Sequence, residues 1–310
     1  MRSATSPLVG ISLKISSALV FTVMGLLIKL VGERFPTGEI VFFRSAFALI
    51  PLSIYLAWRH DLWRAFRTSR LSGHLLRSSI GVLAMSLNFA GIALLPLADA
   101  TAIFYAAPIF VVVFAAILLK ERVRAYRWSA VIIGFIGVLL TLTPHLSGEA
   151  FGSRTSVGAL TTLGAATFAA VAMIQVRRLT ETESTGSIVL YFTLFSSLFG
   201  FLSLFLGPVI GMPWALPSAL DLLILCGIGI LGGIAQILLT QSYRFGDASL
   251  IAPFEYSSML FALGLGYFVF GDVPAPMVIM GAVIIIGAGL FVIYRERQLG
   301  LVREGGVRAG

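Results

Sequence analysis

The sequence predicts an all-α integral membrane protein, with ten transmembrane helices arranged as two inverted five-helix repeats. Three observations carry that reading. Hydrophobic residues make up 58% of the chain and charged residues 12%, against roughly 45–50% and about 25% in soluble domains. Apolar stretches near the ~20 residues that a bilayer-spanning helix needs recur ten times. Shifted by 148 residues, the chain lies over itself without a gap for nearly a hundred positions.

The internal match is sparse but continuous. Val9 and Gly10 fall on Val157 and Gly158, Thr37 and Gly38 on Thr185 and Gly186, Phe47 on Phe195, Gly81 on Gly229, and Asp99 on Asp247. Two units follow, 1–147 and 148–310, each a five-helix repeat, the second with a short cytoplasmic tail. Five crossings is an odd number, so the second unit must enter the membrane upside down relative to the first.

In the first unit the spans are expected at 8–31, 38–58, 75–95, 98–119 and 126–143. In the second they are expected at 157–176, 186–208, 219–241, 248–269 and 274–294. The first stretch is too long for a secretory signal, lacks a small-residue cleavage site and aligns with an internal helix, so it is expected to stay on the protein. With the N-terminus inside, 17 Lys and Arg fall in inner segments and only Arg34 and Arg154 in outer ones. The positive-inside rule then places both termini in the cytoplasm of a multi-pass protein of the cell inner membrane. Arg59, Arg64, Arg67, Arg70 and Arg77 form the densest inner segment, and Trp58 and Trp63 beside it read as interfacial anchors.

Several chemistries are excluded. Cys226 is the single cysteine, and His60, His74 and His145 share no ligand spacing, so neither a disulfide framework nor a metal site is expected. No phosphate-binding loop occurs, and no basic face interleaved with aromatics marks a nucleic-acid surface. No cofactor and no partner protein is implied. The expected partners are the bilayer, a small-molecule substrate and, if transport is coupled, protons.

Corresponding stretches close each half. Leu97-Ala98-Asp99-Ala100-Thr101 leads through Ala107 and Pro108 to Lys120-Glu121-Arg122 and a helix containing Gly134 and Gly137. Phe245-Gly246-Asp247-Ala248-Ser249 leads through Ala252 and Pro253 to Gly271-Asp272-Val273-Pro274 and a helix containing Gly281, Gly287 and Gly289. With ten spans and short loops, these stretches resemble the EamA family of the drug/metabolite transporter superfamily over almost the whole chain. The family pattern has Glu after both helices; Glu121 fits and Asp272 departs conservatively. The resemblance implies a permease fold and leaves the substrate open, because such proteins move amino acids, nucleobases, vitamins and drugs.

Simple physics assigns the shared residues framework roles. Asp99 and Asp247 are expected to cap helix N-termini, Glu121 to pair with neighbouring arginines, and Asp272 to hold the turn before Pro274. The glycines at 134, 137, 281, 287 and 289 are expected to admit close helix contacts.

The substrate-binding candidates are the polar groups set deep in spans, where charge is costly and usually faces a cavity. Glu255, seven residues into the ninth span and followed by Tyr256, suits a proton carrier or a counter-charge for an amine. Arg44 is either an anion-recognition group or a side chain that reaches the outer headgroups. Lys14 and Lys29 lie near the two ends of the first span, where each can reach an interface or, alternatively, face the cavity. Asn88 and Gln236 occupy equivalent positions in the repeats, and Tyr105, Tyr191 and Tyr256 are intramembrane phenols. Pro108 and Pro253 break the fourth and ninth helices as hinges. No catalytic residue is expected, and the chain does not read as an enzyme.

The function expected is secondary transport of a small polar or amphipathic metabolite by alternating access, possible with or without proton coupling. The cargo would be amino acid-like, an amine or heteroaromatic. A proton-driven exporter of lipophilic cations is the alternative, and an intramembrane enzyme a remote one. Direction of transport is not legible from these residues.

Overall fold

The computed structural model describes residues 7–120, 123–147, 152–243, 245 and 251–299. The first repeat comprises α1 (Pro7–Val31), α2 (Thr37–Trp58), α3 (Leu71–Leu94), α4 (Leu97–Leu118) and α5 (Ala125–Leu146). The second comprises α6 (Arg154–Leu179), α7 (Thr185–Leu206), α8 (Ala219–Ser242), α9 (252–270) and α10 (Pro276–Gln298). Among the described residues, nine of these helices are long and apolar enough to cross a membrane alone, and the apolar part of α9, Phe254–Phe270, is shorter. Glu121 and Asp247, with the roles expected of them, lie outside the described residues.

Side chains fix the helix starts in the second repeat. Ser153 accepts from the Ser156 N–H, Ser184 from Ser187, and Ser218 from Asp221, whose carboxylate returns a bond to the Ser218 N–H. Each satisfies donors that the first helical turn otherwise leaves open. Gly271 sits in the left-handed region at φ 70, and the chain turns there from α9 towards α10.

Two helices are broken at equivalent places. In α4 the helix lapses at Tyr105, between Leu97–Phe104 and Ala106–Leu118. Pro108 has no N–H to offer the Phe104 carbonyl, so the ladder fails one turn upstream of it. In α9, Ala252–Tyr256 is a 3-10 segment that includes Pro253, followed by regular helix Ser257–Leu265 and a π turn Gly266–Phe270. Glu255 therefore lies in an irregular first turn of the described part of α9, where a regular helix was expected.

Helix pairing shows the inversion directly. Counterpart helices α2 and α7 touch and run antiparallel: Gly38 lies against Ser203, Gly200 against Phe42, and Gly186 against Leu56. Counterparts α5 and α10 do the same, with Gly137 against Gly281 and Gly134 near Ala288. The remaining contacts exchange under the 148-residue shift. On α8, α1 packs with Gly10 against Ser242 and with the Ser17 hydroxyl donating to the Ala235 carbonyl at 2.8 Å. On α3, α6 packs with Gly158 against Leu94, the position that the shift makes equivalent to Ser242. Lipid supplies no hydrophobic drive between helices, so these close approaches depend on small residues. Gly287 is an exception to expectation: a side chain there would meet nothing within 4 Å, so it admits no helix contact.

One face carries the start of α1 and the Arg-rich connections, and is called the basic face below. The other is the far face. Arg77, assigned from sequence to an inner loop, is the seventh residue of α3 and belongs to the membrane-embedded helix. The basic-face loops are tied across the repeats: the Ser69 N–H and hydroxyl both donate to Glu183 Oε1 at 3.0 Å, and His74 Nε2 stands 3.6 Å from Glu183 Oε2. Burial pushes the Glu183 carboxyl up, but these donors and the Thr68 hydroxyl outweigh it and hold it below its ordinary value.

Candidate substrate cavity

A cavity of about 810 Å³ lies between the two repeats, and each of the ten helices contributes to its wall. Its mouth region is marked by Arg127 on the first turn of α5, Val176 on α6 and Ile293 on α10, all towards the basic face. Its blind end is reached at Gly25, Ile92, Leu97 and Thr101. The wall is mostly apolar, and its polar groups fall into two clusters.

The first cluster is built by α1, α4 and α9. Lys14 Nζ lies 2.7 Å from Glu255 Oε2. Lys14 is only 2% exposed, whereas the Glu255 side chain is 59% exposed and faces the cavity. The expected interfacial reach of Lys14 is thus replaced by an ion pair that joins the first and second repeats. Lys14 also stands over the Tyr243 ring at 5.6 Å. Beside the pair, the Tyr105 and Tyr256 rings meet edge to face at 5.2 Å, and Tyr105 shares a hydrogen bond with Ser258, whose hydroxyl donates to the Glu255 carbonyl at 2.8 Å. The Tyr256 hydroxyl occupies the place that a side chain at Gly289 would fill.

The second cluster is built by α2, α3 and α7. Arg44 and Arg77 both line the main cavity, and both line an adjoining recess of about 50 Å³ together with Phe192 and Gln236. The Arg77 guanidinium lies over the Phe192 ring at 3.7 Å. Asn88 reaches the main cavity, while its repeat counterpart Gln236 reaches the recess. Pro108 lines the main cavity as well.

Tyr191 is not brought to this site. Its hydroxyl donates to the Phe66 carbonyl at 2.9 Å and its ring stacks on His74 at 4.7 Å, within the basic-face loop cluster. Two residues absent from the expected set are prominent in it: Arg77, which loop counting had placed outside the membrane, and Lys14 as the partner of Glu255.

Beyond the blind end, polar contacts across the repeats close the far face. Lys29 pairs with Asp272 at 3.1 Å and donates to the Leu95 carbonyl at 2.7 Å. Arg34 pairs with Asp221 at 2.6 Å, Arg154 with Glu33 at 2.8 Å, and the Ala215 N–H donates to Glu39 at 3.0 Å. Asp272 is therefore an ion-pair partner of α1, beyond its expected part in the turn. Asp99 is likewise no cap: it sits inside the first turn of α4 without a side-chain bond to the backbone there, and its Oδ2 lies 3.1 Å from His145 Nε2 on α5. No group of three or more His, Cys, Asp or Glu among the described residues is placed to hold a metal.

The inverted pairing, the broken α4 and α9 and the cavity between halves accompany a match to the EamA-like transporter family model over residues 8–143 and 156–295. The chain belongs to the EamA-like transporter family. Among its relatives, the S-adenosylmethionine uptake transporter of Rickettsia felis is 29% identical over 270 residues, covering 87% of each chain. The pseudopaline exporter of Pseudomonas aeruginosa is 31% identical over 281 residues, covering 90% of this chain and 94% of its own. The riboflavin transporter of Vibrio cholerae is 26% identical, covering 94% and 95%. A solved crystal structure aligns over 94% of this chain and 98% of its own with a TM-score of 0.62 at 16% identity, a likeness of fold. Relatives of this EamA-like chain thus include one named for uptake and one for export, both carriers of small metabolites.

Proposed function

We propose that this EamA-like protein is a secondary transporter working by alternating access, with the basic face cytoplasmic in the cell inner membrane and the cavity open to that side. The observation that carries this reading is the cavity of about 810 Å³ between inverted repeats, with its mouth at one face and four cross-repeat polar contacts beyond its blind end. Inverted repeats supply a second conformation in which the closed and open ends exchange. The cargo is a small polar or amphipathic metabolite, most simply a zwitterion of amino acid type. A mostly apolar wall receives its body, and two charged clusters orient its ends. Glu255, open to the cavity, is the group available for a cargo ammonium or a coupling proton.

The lipophilic-cation alternative fits less well. Arg44 and Arg77 line the same space and repel a cation that enters it. Enzymatic chemistry finds little support either: among the lining residues there is one carboxylate, Glu255, and no histidine.

The test is counterflow in proteoliposomes of the purified protein, preloaded with single compounds and supplied with labelled ones. Exchange of zwitterionic amino acid derivatives, with no exchange of tetraphenylphosphonium, is expected. Saturable exchange of tetraphenylphosphonium alone would overturn the cargo assignment in favour of cation export.

A further inference from the structure

We propose that Arg44 and Arg77 form a two-arginine subsite that binds the carboxylate of the transported molecule. The inference deepens the transporter reading above and rests on it for the identity of the cargo. Arg44 is the eighth residue of α2 and Arg77 the seventh of α3, and the two guanidinium groups border the same recess and the same cavity. Arg44 is 7% exposed. Its Nε, and the Nε and Nη1 of Arg77, are buried without a hydrogen-bond partner. Buried guanidinium groups are normally paired, because desolvation of an uncompensated cation is costly and like charges side by side add to the cost.

The protein's own carboxylates do not supply the missing charge. Among the described residues, Glu255 is held by Lys14, Asp272 by Lys29, Asp221 by Arg34, Asp99 lies against His145, and Glu39 accepts from Ala215. Small residues beside them let both arginines pack into the cavity wall. Gly81 leaves room for Arg77 Nη1, which is 2.8 Å from where a side chain would begin, and Gly232 leaves 3.2 Å for Arg44 Nε. The Arg77 guanidinium carbon lies 3.7 Å from the centre of the Phe192 ring, a contact that occupies none of its N–H donors with an acceptor. Two unpaired guanidinium groups on one cavity wall match an oxyanion. A carboxylate is the anion that complements a second pole containing a cavity-facing Glu255, as a zwitterion requires.

The test is binding to the full-length protein in nanodiscs by calorimetry, with 4-phenylbutyrate, its uncharged amide and phenyl phosphate as probes. Expected are binding of 4-phenylbutyrate, no binding of the amide, and a loss of about tenfold or more in carboxylate affinity for Arg44→Gln and for Arg77→Gln. Arg77→Lys, which keeps charge and loses the fork, falls between. A thermal melt without ligand separates this role from a structural one. Removing an unpaired buried cation should leave the melting temperature of each Gln variant equal to or above the parent's, whereas a structural arginine would lower it.

Equal binding of acid and amide, no binding of the acid at millimolar concentration, or unchanged affinity in both Gln variants overturns the subsite. Tighter binding of phenyl phosphate overturns the carboxylate assignment and gives the site to phosphate esters. Binding is read without a gradient, so the two readings fail separately. Arginine-dependent binding by a protein that moves nothing across a bilayer would refute transport alone. Transport that ignores both arginines and the carboxylate would refute the subsite alone.

Discussion

The Lys14–Glu255 pair makes an unequal prediction for its two halves. Breaking a buried ion pair by removing one partner costs about 3–5 kcal/mol, because the other charge is left uncompensated. Here the partners are not equally buried: Lys14 is 2% exposed, and the Glu255 side chain is 59% exposed to the cavity. Glu255→Gln strands the lysine out of water and should cost about 3 kcal/mol or somewhat more. Lys14→Met leaves a carboxylate that water in the cavity can solvate, and should cost about 1 kcal/mol or less. The double variant removes both charges and should recover most of the loss. At roughly 2–4 °C per kcal/mol, melting in mild detergent should fall by about 6–12 °C for Glu255→Gln and by only a few degrees for the other two. A Lys14→Met loss equal to or larger than that of Glu255→Gln would refute the reasoning, and so would a double variant whose loss is the sum of the singles. The double variant also separates fold from function. If it is stable yet has lost a pH-dependent transport rate, Glu255 acts on cargo or protons; if transport and its pH profile are unchanged, the pair is a strut.

Asp272→Asn removes the partner of Lys29 and should loosen the far face, so Thr101→Cys at the blind end, made in a Cys226→Ser background, should label faster from that side; an unchanged rate would show that this pair does not hold the closure. Gly137→Val pushes a side chain against the Gly281 carbonyl, 2.8 Å from where it would begin, and should cost about 1–3 kcal/mol, read as a lower melting temperature; a parental melt would deny the α5–α10 contact. The Glu183 carboxyl is held below its ordinary 4.5 by its donors. Its contribution is therefore complete above that pH and lost as pH falls through the lower folded value. Glu183→Gln should accordingly melt lower than the parent at pH 6–7 and converge with it in acid; a constant difference at all pH values would refute the linkage.

The spans and their inversion were legible because bilayer thickness imposes a length on every helix and because the duplication left glycines such as Gly10, Gly158, Gly81 and Gly229 in register. Glu255 stood out by its depth alone. Its partner did not, since 241 positions separate Lys14 from Glu255 and a lysine near a helix end reads equally well as an interfacial one. Arg77 was hidden for a related reason: it lies at the very start of the span expected at 75–95, and counting it with the basic loop before that span took it out of the set of intramembrane charges. Tyr191 was misdirected because its position within a span does not tell a helix face turned to a cavity from one turned to a neighbouring loop. Asp99 matched a capping pattern, yet the helix begins two residues earlier, at Leu97, which moves its carboxylate from the backbone donors to His145.

The 148-residue shift carries Arg44 onto Phe192 and Arg77 onto Leu225, so the cationic wall has no mirror image in the second half, while the glycines that set helix spacing do. The rocking motion proposed above would exchange the two ends of the frame but not the chemistry on its inner surface. Under the proposed cycle an anionic cargo end held by Arg44 and Arg77 would stay with α2 and α3 of the first half. The two facing states of that cycle would hold the same molecule with different affinity, while the direction of net flow stays set by the gradients across the membrane. That difference in affinity would rest on a handful of side chains of one half, which can change while the spacing glycines stay as they are.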